Sequence, residues 1–153
     1  MPNWLLSLAM SADIRIASDN SQFGIPAAKL GIAYGWDGLN NLVSLVGPSR
    51  ARLIMYTGMR IGAVEADKIG LVDRIVPESE LWGATMEIAR TISGNAPLAI
   101  KAAKITIAQV LKDESKRDMA AIKAIGTACM DSEDFREGRT AFMEKRKPQF
   151  KGK

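Results

Sequence analysis

The sequence contains no histidine. That absence removes Ser-His-Asp and Cys-His nucleophile systems, His-ligated zinc and every mechanism built on an imidazole base. Acid-base chemistry is left to a carboxylate, lysine, tyrosine or a group on the substrate. There is a single cysteine, Cys129, which cannot form an internal disulfide and agrees with an intracellular protein. No GK[ST] follows a glycine loop and no G-x-G-x-x-G joins a strand to a helix, so the main nucleotide fingerprints are missing. No apolar run approaches the roughly 20 residues that cross a bilayer. Met1 to Met10 is apolar but carries no Lys or Arg, so it lacks the basic segment of a secretory leader. A cytoplasmic location without membrane association is the expectation.

What is present suits one globular domain: 153 residues, 47% apolar and 25% charged. The net charge of +4 is uneven. Residues 136 to 153 hold seven Lys or Arg against Glu137 and Glu144, while the first 135 residues net to −1. A solvated helix end and tail is one reading of this basic end; a site for phosphates is the other. Nucleic acid is not expected there, because Phe142 and Phe150 alone do not make a stacking platform.

The chain is organised around residues 11 to 45. A short apolar strand, Ile14 to Ala17, leads into a polar turn at Ser18 to Ser21. Phe23-Gly24-Ile25-Pro26 follows, then Gly31, Gly35 and Gly38, then a helix whose Leu39, Leu42, Val43 and Val46 share one face. Gly47-Pro48 breaks that helix, Ser49 to Thr57 forms the next, and Gly58 stops it. A short helix over Ala63 to Ile69 ends at Gly70, and Leu71 to Val76 reads as a strand closed by Pro77.

From there the pattern is helical. Leu81, Ala84, Ile88 and Ile92 form one stripe. After Pro97, Ile100, Ala103, Ile107 and Leu111 are expected to face inward, with Lys101, Lys104 and Lys112 solvated opposite. Met119, Ile122, Ile125 and Cys129 mark a third helix, with Cys129 as a small buried hydrophobe. Ser132 is the predicted N-cap of a fourth, with Glu133 and Asp134 in its first turn. Phe135, Arg139, Phe142 and Lys145 recur along it until Pro148. The expected division is an α/β segment over 1–77 and a helical region over 78–153, without a linker. Two strands cannot make a sizeable sheet, so the front half reads as the later part of something larger.

The chain from about Leu6 onward resembles the C-terminal portion of the crotonase superfamily, the enoyl-CoA hydratase/isomerase group. The residues that carry the resemblance are Ala12-Asp13-Ile14-Arg15-Ile16-Ala17-Ser18, Phe23-Gly24-Ile25-Pro26, Lys29-Leu30-Gly31-Ile32, Val46-Gly47, Leu53 with Thr57-Gly58, Ile69-Gly70-Leu71-Val72-Asp73, and Ala141 to Pro148. The resemblance implies a partial crotonase-like ββα spiral followed by a C-terminal helical oligomerisation region that builds a trimer or hexamer. It implies an acyl-CoA thioester as ligand, in fatty acid metabolism, with CoA belonging to the substrate and no separate cofactor or metal. Two backbone N–H groups would form an oxyanion hole, and two glutamates would serve hydratase chemistry.

At those positions this sequence departs from the family. Trp4 occupies the second oxyanion position, where the family has a Gly-Gly-Gly run. Ser7 and Ala27 occupy the two glutamate positions. The expectation is therefore a truncated, catalytically impaired relative with an altered start over residues 1–5, or a non-catalytic CoA-ester-binding or oligomerisation module. Asp37 is the one carboxylate in the glycine-rich stretch and reads either as a base or as a helix N-cap. Tyr34 reads as a substrate contact or as packing. Gly31 and Gly35 read as points of close acyl-chain approach or as turn geometry. Phe142 and Lys145, three apart on one helix face, match family positions that contact the adenine and phosphates of CoA, with core packing the plainer reading of the Phe.

Overall fold

Among the described residues the chain forms four three-residue strands, eight α-helices and two short 3-10 turns. The computed structural model describes the backbone of residues 3–153 and the side chains from residue 6 onward. The chain divides into two compact units, Met1–Thr85 and Met86–Lys153.

In the first unit the order is α1 (Asn3–Met10), β1 (Ile16–Ser18), β2 (Gln22–Gly24), α2 (Ala27–Leu30), α3 (Trp36–Thr57), β3 (Arg60–Gly62), α4 (Ala63–Lys68) and β4 (Arg74–Val76). The two expected strands are present but shorter, and they pair with each other. β1 lies parallel to β4, with Ile16, Ala17 and Ser18 opposite Arg74, Ile75 and Val76. A parallel pair needs a long crossover, and α2 to α4 supply it. β2 and β3 form a second, antiparallel pair with Phe23 opposite Ile61. Sequence reading missed both of these strands, because three residues are too few for alternation to show.

The β1–β4 pair is fastened at its open end. Arg15 and Asp73 exchange backbone and side-chain contacts: Arg15 N donates to Asp73 Oδ2 at 2.6 Å, and Asp73 N donates to Arg15 O at 2.8 Å. The mostly buried guanidinium pairs with the same carboxylate at 3.0 Å and also donates to Leu71 O and Ala12 O. Behind this edge lies the core, centred on Ile25, Leu42, Ala66 and Leu71, with Ala17, Ile54 and Val72 around them. Burying each of the large aliphatic side chains contributes about 1.5–3 kcal/mol.

Helix α3 bends where the sequence placed a break. Gly47 has φ 75 and ψ 165, a non-helical turn between two helical stretches, with Pro48 opening the second. The buried Leu42, Val46, Ala51 and Ile54 lie on both sides of the bend, so the kink keeps one apolar face on the core. Gly58 closes the helix in the left-handed conformation.

Helix α5 (Leu81–Ser93) contains the boundary between the units, and α6 (Pro97–Val110), α7 (Met119–Asp131) and α8 (Glu133–Met143) build the second. Pro97 sits at the first turn of α6, as expected. The inward face of α6 is only partly the expected one. Leu98, Ile100, Ala102, Ile105 and Gln109 are half-buried, whereas Ala103, Ile107 and Leu111 are exposed. This helix is apolar on nearly every side, so periodicity alone does not choose the face; contact with α7 does, and Gln109 accepts the Asp118 N–H at 3.0 Å. Met119 is likewise exposed, and Cys129 is half-buried rather than enclosed. Ser132 caps α8 as expected, accepting from Phe135 N at 3.0 Å. The helix stops at Met143, short of Pro148.

Gly47 has no atom within 4 Å of where a Cβ would stand, so its constraint is conformational rather than steric. Gly47→Ala should therefore lower stability by about 1–3 kcal/mol through backbone strain alone. Urea unfolding of the two proteins, with an unchanged denaturant slope, is the measurement.

Candidate functional site

The predicted site residues of the first unit gather where α1, α2 and the start of α3 meet. Gly31 closes α2 in the left-handed conformation (φ 64), and Gly35 opens α3 from an extended one. Between them Tyr34 turns inward, half-buried and packed against the core cluster. Its hydroxyl shares a hydrogen bond of 2.5 Å with Ser7 Oγ on α1. Gly38 makes this possible: a Cβ there would stand 2.4 Å from Tyr34 Cε1. The glycine thus serves the aromatic ring beside it, and α3 begins two residues earlier, at Trp36.

One expectation changes here. Asp37 does not cap α3; the N-cap is Gly35, with no side-chain cap bond, and Asp37 lies exposed in the first turn. A carboxylate so placed complements the helix dipole without needing to reach back to an N–H. Asp13 lies in a bend before β1. Ser7 has a partner, and that partner is a phenol. Ala27, the first residue of α2, is buried, and its carbonyl accepts from Gly31 N and from Ile32 N at 3.0 Å. Trp4 falls in the first turn of α1, and its side chain lies outside the described residues.

The arrangement therefore offers two hydroxyls bonded to each other and a methyl group. A serine hydroxyl becomes a nucleophile or proton carrier only with a base beside it, and none of these three residues supplies one. Beside this cluster a cleft of about 750 Å³ opens between α1, β2 and β3. Lys29, Arg60 and Glu78 are among the residues that line it. Ser18, Asn20 and Ser21 line its mouth, tied to one another and to Glu78 at 2.7–2.9 Å. Among the described residues no group of three or more His, Cys, Asp or Glu is arranged to hold a metal ion. No helix there is long and apolar enough to cross a membrane.

Phe142 and Lys145 belong to the second unit. Phe142 is 83% exposed near the end of α8. Lys145 lies beyond the helix with φ 54, so the two do not share a helical face. Left-handed backbone at Lys145 reverses the chain, and Arg146 N donates back to Ala141 O at 3.0 Å. The Arg146 guanidinium then grips Glu137 with two bonds of 2.7 and 2.9 Å and reaches Glu144 at 2.6 Å. One cation of the basic end is thereby committed to carboxylates. The Arg146 hydrogen bonds, with the Gln149 N–H, hold the Glu137 carboxyl down from 4.5 to about 2.

Similarity to known proteins decides the family. Residues 6–153 match the family model described as enoyl-CoA hydratase/isomerase. The chain belongs to the enoyl-CoA hydratase/isomerase family. It is 41% identical over 140 residues to the short-chain-enoyl-CoA hydratase of Clostridium acetobutylicum, covering 92% of this chain and 54% of that protein. It is 38% identical to the crotonyl-CoA hydratase of Syntrophomonas wolfei, covering 94% and 55% respectively. The crystal structure of an enoyl-CoA hydratase from Bacillus anthracis superposes with a TM-score of 0.90 at 34% identity, over 97% of this chain and 57% of that one. The chain thus spans about half the length of these relatives, and its fold is a part of the crotonase fold.

Gly38→Ala should displace the Tyr34 ring, break the Ser7–Tyr34 bond and cost about 1–3 kcal/mol, as overpacking does. Urea unfolding together with the Tyr34 ring resonances by NMR reports both effects. A second expectation concerns acid. Because the Glu137 pKa is lower in the folded chain than in the unfolded one, its contribution to stability is full above about pH 4.5 and is lost as pH falls toward about 2. An NMR titration of the Glu137 side chain should show its midpoint near 2, and a midpoint at 4.5 would contradict the ion-pair geometry.

Proposed function

We propose that this chain binds an acyl-CoA thioester and does not hydrate it. The observation that carries the reading is the Ser7–Tyr34 hydroxyl pair together with buried Ala27, at the two positions where the resemblance places the hydratase glutamates. Hydration needs one group to take a proton from water and another to deliver one to carbon, each with a pKa near the working pH. A methyl group does neither, and a serine bonded to a tyrosine has no base to activate it. Asp37 does not replace them, since it is exposed in the first turn of α3.

Binding asks less of the chain. The loop from Gly31 to Gly35 lets backbone approach a ligand between α2 and α3, and Tyr34 fixes its shape. In the second unit, exposed Phe142 offers an aromatic face for a purine, and Lys145 a cation for phosphate. CoA enters this reading as part of the ligand, with no separate cofactor. The names of the relatives, short-chain-enoyl-CoA and crotonyl-CoA hydratase, support a short acyl chain.

Self-association belongs to the same reading. Ile107, Val110 and Leu111 of the α6 end, with Met119 and Met130 of α7, leave an apolar surface on the second unit that a homo-oligomer, a trimer or hexamer, would cover. Sedimentation equilibrium measures the subunit number directly.

Two measurements test the central claim. Incubation with crotonyl-CoA, followed by loss of enoyl absorbance, should show no turnover above background; clear turnover overturns the claim that the chain does not hydrate. Titration with a saturated short-chain acyl-CoA should raise the thermal midpoint, since saturation to 100 times Kd stabilises a folded protein by about 2.7 kcal/mol. A midpoint that stays fixed across the titration overturns the binding claim.

A further inference from the structure

The last ten residues, 144–153, run back along α8 after the reversal at Lys145. Beyond that reversal, three of their backbone donors end on two side chains of the helix. Gln149 N donates to Glu137 Oε1 at 2.8 Å, and Lys151 N and Gly152 N donate to the two oxygens of Asp134 at 2.6 and 2.7 Å. Asp134 N in turn donates to Lys153 O at 3.2 Å. Asp134 is 3% exposed, although it stands in the first turn of its helix. Its burial is the work of the returning chain. Phe150 lies beside Gly138, where an added Cβ would stand 3.5 Å from the ring. Phe150 is also one wall of an apolar groove of about 440 Å³, which Leu98, Cys129, Phe135 and Phe142 help to line.

We propose that residues 144–153 are a detachable strap, clasped to α8 by Asp134 and Glu137, which opens as a unit ahead of α6 to α8 and uncovers the apolar groove that Phe150 walls. Three features of the segment point to this. It carries little apolar surface of its own: Phe150 and Pro148 are half-buried, while Lys145, Lys147, Gln149, Lys151 and Lys153 are exposed. Segments with few buried apolar contacts open at a free energy well below that of the whole fold. The bonds that hold it are charge-assisted and converge on two acceptors, so loss of one carboxylate releases several donors together. The Arg146 guanidinium bridges Glu137 and Glu144 at the hinge end, next to the one non-glycine residue with positive φ among the described residues, Lys145. Opening therefore has a fixed pivot and a defined latch.

Amide exchange on the full-length protein tests the strap. In Glu137→Gln the amides of Gln149, Lys151 and Gly152 should exchange at least about tenfold faster than in the parent, the scale set by losing a charge-assisted hydrogen bond. Amides of α6 and α7 should keep their rates. Phe150→Ala, which leaves both carboxylates in place, should give the same local acceleration, and it stands as evidence if the Glu137 variant folds poorly. The sole thiol, Cys129, should label faster with a maleimide in both variants, because the groove loses a wall. Glu144→Gln, which removes only the hinge-side partner, should leave the strap amides within about twofold of the parent. Parallel acceleration of the α6 and α7 amides would overturn the proposal, since opening would then be global unfolding. Unchanged strap amides in both Glu137→Gln and Phe150→Ala would overturn it as well.

Discussion

The tie between Arg15 and Asp73 closes a loop of chain that spans most of the first unit. Two residues 58 positions apart share one main-chain bond, the Arg15 N–H donates to the Asp73 carboxylate, and the mostly buried guanidinium then secures that same carboxylate. Everything from β2 to α4 lies within that loop, and the parallel register of β1 on β4 begins at its neck. The Asp73 side chain is partly in water, so the ion pair itself contributes modestly. Its importance is geometric. A three-residue parallel pair has too few ladder bonds to hold register alone, and the arginine supplies donors to Leu71 and Ala12 that fix where the pair starts.

Much of this architecture was legible in the sequence, and what was not has physical reasons. Helix ends marked by Gly58, Gly70, Pro97 and Ser132 stand where those residues placed them, because capping and breaking are local chemistry. The kink at Gly47-Pro48 is as local and as readable. Strand lengths and the β2–β3 pair were not readable, since partners far along the chain decide them. The orientation of α6 was readable only in part, for a different reason: its sequence is apolar on several faces, and packing on α7 chose among them. Asp134 was read as a helix-dipole residue, and it is one, but its carboxylate also receives a segment 17 residues away that no local pattern announces.

The site shows the same division. Family resemblance singled out Ser7 and Ala27, and the run of glycines singled out the Gly31 to Gly35 loop; the contact between Ser7 and Tyr34 was not legible. The Ser7–Tyr34 bond depends on Gly38 giving room to a ring four residues before it, a packing relation that requires the helix to exist first. A glycine taken for a helix start proves to be the floor under an aromatic side chain. Where the family resemblance implies two carboxylates, this chain has the Ser7 hydroxyl, bonded to Tyr34, and the Ala27 methyl group.

The three tryptophans, Trp4, Trp36 and Trp82, all fall in the first 85 residues, and the rings of Trp36 and Trp82 are 80% and 76% exposed. Rings so exposed should emit as water-bathed indole already in the native chain. Unfolding changes little around a ring already in water, which makes a probe engineered into α6 or α7 the practical route to following the second unit by light.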